Sequence, residues 1–122
     1  MLIRGLYSVL NFEQDEQTVT ALIKLKPDHE VFKGHFPGNP VMPGVCMIQI
    51  IKELTEQATG ETLFLSVASN IKFMAIINPE KNDTLKLVLQ LSEVDGQIKV
   101  KNTISFEDTL ALKLNATFKI VA

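Results

Sequence analysis

Alternating apolar and polar residues in the first part of the chain predict a pair of antiparallel strands. In residues 18–26 nearly every second position is apolar, which is the period of a half-buried strand. The apolar positions on this face are Val19, Ala21, Ile23 and Leu25. We expect the strand to pair with an earlier one at about residues 2–12, across the polar turn Glu13–Gln17.

A second alternating part of the chain predicts three further strands in a row. Leucines alternate with other residues over 85–91, and the pair Asp95-Gly96 that follows is a strong hairpin signal. The alternation resumes over residues 98–106 and, after Glu107–Thr109, over residues 110–120.

Between the two strand groups, Pro43 to about Ala58 is the only segment of helical length and composition. Gly60 stands where a glycine C-terminal cap is expected. The first half of the helix, Val45–Ile51, is apolar on every side except at Gln49, so we expect it to be enclosed. One long helix flanked by antiparallel strands predicts an α+β fold, with a curved antiparallel sheet wrapped around the helix.

Length and composition narrow the class of protein. A chain of 122 residues predicts a single domain over residues 1–122, and a net charge of −2 gives no indication of a nucleic-acid surface. No apolar run approaches the roughly 18 residues of a membrane span, and a cytoplasmic location is the simplest expectation. The lone Cys46 excludes an internal disulfide and a cysteine-rich zinc site, and its apolar neighbours favour a buried core residue over a nucleophile.

The candidate chemistry lies in GHFPGNPVMPGV, Gly34 to Val45. Three prolines fix the backbone and the glycines permit close approaches, so this stretch is predicted to be a rigid loop. Pro43 suits the first position of a helix, and Gly44 would leave its N–H open to a substrate oxygen at the positive end of the helix dipole. A single histidine, His35, lies inside the loop.

This run resembles the signature GHFPGxPxMPG of the β-hydroxyacyl-acyl-carrier-protein dehydratases of the hot-dog fold, and every fixed letter is present. Residues 70–73 and 78–85 resemble a second family stretch more weakly, and the N-terminus departs from the family. The resemblance implies elimination of water from a β-hydroxyacyl thioester, giving a trans-2-enoyl thioester in fatty-acid or related acyl-chain biosynthesis. It also implies a substrate bound to carrier protein or CoA, no metal or organic cofactor, and a dimer.

The resemblance assigns roles residue by residue. His35 would be the base, with its ring held by the carbonyl of Val41, and the Gly44 N–H would receive the thioester oxygen. The residues expected to line the acyl-binding site are Phe32, Phe36, Val41, Pro43 and Val45. Lys33, Lys72 and Lys81 are candidates for docking an acidic carrier protein.

The chain departs from the family at the third catalytic position, fourteen residues after the histidine, where Gln49 replaces a Glu or Asp. Glutamine can hold a hydroxyl but cannot give up a proton at neutral pH, and losing a general acid costs about 10²–10⁴ in rate. Water or His35 could protonate the leaving group while Gln49 positions it. Glu53 is less suited as a substitute, because its side chain starts about 6 Å further along the helix.

Two further explanations involve other proteins or other functions. The family's sites take the histidine and the acid from different subunits, so a heterodimer partner could supply the acid to this chain. The chain could also bind acyl groups without transforming them, as a partner-stabilising subunit. An alternative enzyme class is a hot-dog acyl thioesterase in which Gln49 orients a hydrolytic water.

Overall fold

The computed structural model describes residues 5–29, 32 and 44–121. In chain order the elements are β1 Tyr7–Asp15, β2 Thr18–Leu25, α1 Gly44–Thr59, β3 Thr62–Phe73, β4 Thr84–Val94, β5 Gln97–Phe106 and β6 Thr109–Val121. The strands form one six-stranded sheet in the order β1-β2-β4-β5-β6-β3, and all neighbours run antiparallel. This arrangement confirms the predicted α+β architecture of one long helix with an antiparallel sheet.

The alternating segments form strands because each can bury one face against the helix. Val19, Ala21 and Ile23 of β2 are fully buried, and they share one core cluster with the inward residues of β4, β5 and β6. Asp95 and Gly96 both have positive φ, 52° and 75°, which confirms the predicted hairpin turn between β4 and β5.

The first hairpin is tighter than its sequence predicts. Strand β1 continues to Asp15, which pairs with Thr18, so the turn consists of Glu16 and Gln17 and not of residues 13–17. Glu16 accommodates the reversal with a φ of 55°. Polar side chains at 13–15 are compatible with a strand here because they are exposed to solvent.

Helix α1 begins and ends within one residue of its predicted limits, and Pro43 itself lies outside the described residues. Gly60 has a φ of 71°, and its N–H donates to the Glu56 carbonyl at 2.8 Å, which confirms the glycine cap. The buried residues of the helix are Cys46, Met47, Ile50, Ile51, Leu54 and Thr55. Enclosure of the whole first half was wrong, because Val45 projects from the side of the helix away from this stripe and is 64% exposed.

Strand β3 was not predicted from the sequence. Register shifts between Leu65 and Val67 and between Ser69 and Lys72 interrupt its pairing with β6, so its apolar residues do not keep a period of two. It forms one edge of the sheet and β1 forms the other. Several large apolar side chains of β3 are exposed in the single chain: Phe64, Val67, Ile71 and Phe73.

Candidate active site

The structure places four of the predicted site residues. Gly44, Val45 and Gln49 belong to α1, and Phe32 is 6% exposed within the hydrophobic core. The other four, His35, Phe36, Val41 and Pro43, lie outside the described residues, so their roles stay predictions. Burial of Phe32 is compatible with the lining of an acyl site but follows equally from core packing.

Gly44 is the first residue of α1, and its N–H therefore has no acceptor within the helix. The ring of Phe73, at the end of β3, covers its Cα. A Cβ added at Gly44 would lie 3.1 Å from Phe73 Cζ and 3.7 Å from Cε1. Any larger residue would have to push this ring away. This contact could not be predicted from the sequence, because Phe73 belongs to a strand that was itself not predicted.

Gln49 belongs to a hydrogen-bonded cluster with two other side chains. Its Nε2 donates to Oε2 of Glu53 at 3.1 Å, and the Tyr7 hydroxyl donates to Oε1 of the same carboxylate at 2.7 Å. Glu53 thus contacts Gln49 although its side chain starts about one helical turn further along the axis, and the expectation that it does not replace the missing acid stays a prediction. Side chains four residues apart lie on the same helical face, and these two are long enough to meet.

Tyr7 anchors the cluster from the start of β1. Burial raises the pKa of its phenol, and the hydrogen bond to Glu53 and the negative charge of that carboxylate raise it further. The phenol consequently keeps its proton, and its role as a donor, throughout the neutral pH range. No local motif marks Tyr7, which lies 46 residues from Glu53 in sequence.

Gly44 and Gln49 flank the buried stripe of α1 on different sides. Five residues at about 100° each place the two Cα atoms about 140° apart around the helix axis. Gly44 lies beside Phe73 of β3, and Gln49 lies with Glu53 beside Tyr7 of β1. Because β1 and β3 are opposite edges of the sheet, the two residues face different sides of the same chain.

Cys46 lies between these flanks and is fully buried. Burial raises the pKa of its thiol, so it lacks the thiolate character of a nucleophile. The prediction of a core cysteine is confirmed.

Within the described part of the chain, no three His, Cys, Asp or Glu side chains are grouped to hold a metal ion. In those same ranges no helix combines the length and apolar character needed to cross a bilayer.

Comparison with known proteins identifies similar dehydratases. The family model described as ApeI-like, ApeI dehydratase, matches residues 11–116. The FabZ 3-hydroxyacyl-(acyl-carrier-protein) dehydratase of Levilactobacillus brevis is 31% identical over 99% of this chain and 89% of its own length. The FabZ protein of Lactobacillus helveticus is 37% identical over 75% of this chain, and the match spans 66% of that relative, slightly under two thirds.

The fold agrees with solved structures. The dehydratase heterocomplex ApeI:P from Xenorhabdus doucetiae contains a chain that superimposes with a TM-score of 0.72 and 23% sequence identity. The superposition covers 94% of this chain and 97% of that one. Together with the six-stranded antiparallel sheet and single long helix, this likeness confirms the predicted hot-dog fold.

Proposed function

The chain belongs to the ApeI-like dehydratase family and is dehydratase-like in function, and we propose that it converts a β-hydroxyacyl thioester into a trans-2-enoyl thioester and water. The observation that carries this reaction is the start of α1 at Gly44, the last letter of the complete GHFPGxPxMPG run. The substrate is carried by acyl carrier protein, as the names of the relatives state for those proteins.

Gly44 supplies the oxyanion contact. As the α-proton leaves, negative charge builds on the thioester oxygen, and an N–H at the first position of a 16-residue helix can stabilise it. Loss of one such donor in other enzymes costs about 10²–10³ in rate.

His35 is the proposed base, assigned from its place in the signature. Its imidazole takes the α-proton, and the electron pair of that C–H bond becomes the new carbon–carbon double bond as the β-carbon–oxygen bond breaks. The departing hydroxide then takes the same proton from the imidazolium and leaves as water. One histidine thus serves in turn as base and acid, because an imidazole can both take and release a proton near neutral pH.

Gln49 positions the leaving hydroxyl in this scheme. It can hold the oxygen through hydrogen bonds, but it supplies no proton. We therefore expect turnover to be slower than in family members with an acid at this position, since a positioned general acid contributes about 10²–10⁴ in rate.

A complete site requires two chains. Gly44 and Gln49 flank α1 on sides about 140° apart, so a single thioester is not expected to contact both within one chain. The exposed apolar edge strand β3 supports edge-to-edge pairing of two sheets, because an unpaired edge with large apolar side chains is otherwise prone to aggregation. We therefore include a dimer in the proposal, with His35 and Gln49 of one site from different subunits.

A heterodimer is the second candidate assembly, and Gln49 is the observation that favours it. A partner with a carboxylate at the corresponding position would complete the site containing this chain's His35. The similar ApeI:P structure is itself a dehydratase heterocomplex. A single domain and a cytoplasmic location, where carrier-bound acyl chains would be encountered, complete the proposal.

Carrier docking has a candidate surface next to Gly44. Lys72 precedes Phe73 on β3 and pairs with Lys113 of β6, and both lysines are exposed. Two like charges directly opposite each other in a sheet are mutually destabilising, so an acidic partner would relieve their repulsion. Of the other predicted docking lysines, Lys81 is exposed and Lys33 lies outside the described residues.

The test uses the purified chain with a β-hydroxyacyl carrier thioester, followed by mass spectrometry and thiol titration. A dehydratase gives the enoyl thioester, whereas a thioesterase gives free thiol and a binding subunit gives neither. His35→Ala should abolish the product, and His29→Ala, which changes the only other histidine, is the matched control. Hydrolysis, or unchanged turnover in His35→Ala, would refute the proposal. If the pure chain is inactive but becomes active with a partner that has a carboxylate at the corresponding position, the heterodimer is supported.

A further inference from the structure

The cluster of Tyr7, Gln49 and Glu53 determines the orientation of the Gln49 side-chain amide, which the sequence alone does not define. The Glu53 carboxylate accepts from Gln49 through one oxygen and from Tyr7 through the other, at 3.1 and 2.7 Å. Among the described residues it accepts both hydrogen bonds, one through each oxygen, and a carboxylate has the acceptor capacity for both. All three side chains are partly buried, so these charge-assisted bonds are less exposed to competition from water than surface bonds.

The consequence for Gln49 is a defined orientation. A side-chain amide carries its oxygen and nitrogen on opposite sides of Cδ, so an Nε2 directed at Glu53 turns Oε1 away from it. A flipped amide would place Oε1 against the carboxylate and lose the hydrogen bond. Glu53 thus selects one of two amide orientations, and Tyr7 holds the carboxylate that makes the selection.

We propose that Glu53 and Tyr7 are positioning residues that present Gln49 Oε1 as a hydrogen-bond acceptor for the β-hydroxyl of the acyl substrate. This inference rests on the proposed dehydratase function and deepens it. Oε1 takes the hydrogen of a β-hydroxyl group, which a saturated or enoyl chain lacks. The cluster therefore makes binding selective for hydroxylated acyl groups, and Glu53 acts through Gln49 and not as the missing acid.

The contact itself can be tested without activity. The chain has one tyrosine and no tryptophan, so its ultraviolet-excited emission reports Tyr7 alone. A hydrogen bond to a carboxylate quenches tyrosine emission, and Glu53→Gln should therefore raise it at pH 7. Glu56→Gln, a half-buried glutamate on the same helix, is the matched control and should leave the emission unchanged. Equal emission from wild type and Glu53→Gln would overturn the cluster.

Selectivity is tested by binding a β-hydroxyacyl carrier thioester and the saturated thioester of the same length to His35→Ala protein. We expect wild-type Gln49 to favour the hydroxylated ligand, and Glu53→Gln to reduce that preference by up to about tenfold, the upper value of a hydrogen bond between neutral groups. Tyr7→Phe should reduce it less, because the carboxylate remains. Glu56→Gln should preserve it.

The outcomes separate this inference from the proposed reaction. A loss of affinity by the same factor for both ligands would show a merely structural role and refute positioning. A reduced preference in an active enzyme supports the inference. If the wild-type chain makes no enoyl product yet prefers the hydroxylated ligand and loses this preference in Glu53→Gln, the reaction fails while the positioning of Gln49 stands.

Discussion

Replacing Gln49 by Glu is the substitution with the most specific expected result. The new carboxylate would occupy the place of an amide whose nitrogen is 3.1 Å from Glu53 Oε2. Two carboxylates at such a distance do not both ionise readily, and they tend to share one proton. The variant would thus gain a carboxylic acid that keeps its proton to higher pH than an ordinary glutamate.

The size of this effect follows from the distance. Two unit charges 3.1 Å apart repel by about 5 kcal/mol at an effective dielectric constant of 20. Both side chains are partly exposed, so solvent screening reduces the realised repulsion to about 1–3 kcal/mol. Gln49→Glu should then be less stable than wild type by this amount near pH 8, and it should regain the loss progressively as the pH falls towards about 4, near the pKa of glutamate in the unfolded chain. The sign follows because folding raises the pKa of the shared proton, which gives stability below the unfolded pKa and loses it as pH rises.

The rate of the Gln49→Glu variant should depend on the same protonation equilibrium. A positioned acid contributes about 10²–10⁴ in rate when protonated, so turnover should rise by at least about tenfold near pH 6 and decline towards pH 8. The assay is enoyl formation from a β-hydroxyacyl carrier thioester over this pH range, with urea unfolding under the same conditions. The control is Gln49→Glu combined with Glu53→Gln, which exchanges the two groups and removes the repulsion, so its stability should vary less with pH.

Two results would refute this reasoning. Equal destabilisation of Gln49→Glu at about pH 4 and pH 8 would show that the two side chains do not interact as charges. The expected stability profile without any gain in rate would show that position 49 does not receive the leaving group, and the acid would then have to come from a partner subunit.

Three further predictions follow from the described contacts. Gly44→Ala should change the free energy of unfolding by less than about 1 kcal/mol, because among the described residues the added methyl group contacts the exposed Phe73 ring. Alanine keeps the backbone N–H, so the expected loss of at least about tenfold in kcat/KM would come from the methyl group and the displaced ring crowding the thioester oxygen. Phe73→Leu in the same protein should restore part of the activity, and an unchanged kcat/KM in Gly44→Ala would contradict the placement of the thioester beside Gly44. Cys46 should react with a thiol reagent only as fast as the protein opens, and rapid stoichiometric labelling in native buffer would disprove its burial. Folding raises the pKa of the Tyr7 phenol, so the protonated phenol stabilises the fold below its unfolded pKa of about 10, and this stability is lost as the pH rises further. Tyr7→Phe should therefore lack the stability loss that wild type shows above about pH 10. Alkaline unfolding curves that run parallel for the two proteins would argue against the Tyr7–Glu53 bond.

Local sequence was sufficient for most of the fold. The alternation in residues 18–25 and 85–91 is legible because a strand with one buried face needs apolar side chains at every second position. Gly60 and Asp95-Gly96 could be interpreted from sequence because few residue types adopt positive φ at low cost. Strand β3 was not predicted because its two register shifts interrupt the alternation of apolar and polar residues. As an edge strand with exposed apolar residues, it also shows little difference in hydrophobicity between its two faces.

The signature GHFPGNPVMPG identified the family, and the position of Gln49 within it identified the unusual chemistry, because both are properties of neighbouring residues in the chain. Tertiary structure decided what Gln49 touches. Its link through Glu53 to Tyr7 joins residues 46 positions apart and depends on where the start of β1 meets the third turn of α1. Gly44 and Gln49 lie towards opposite edges of the sheet, and this separation depends on which face of the helix the sheet covers. That face is determined by the packing of the whole chain.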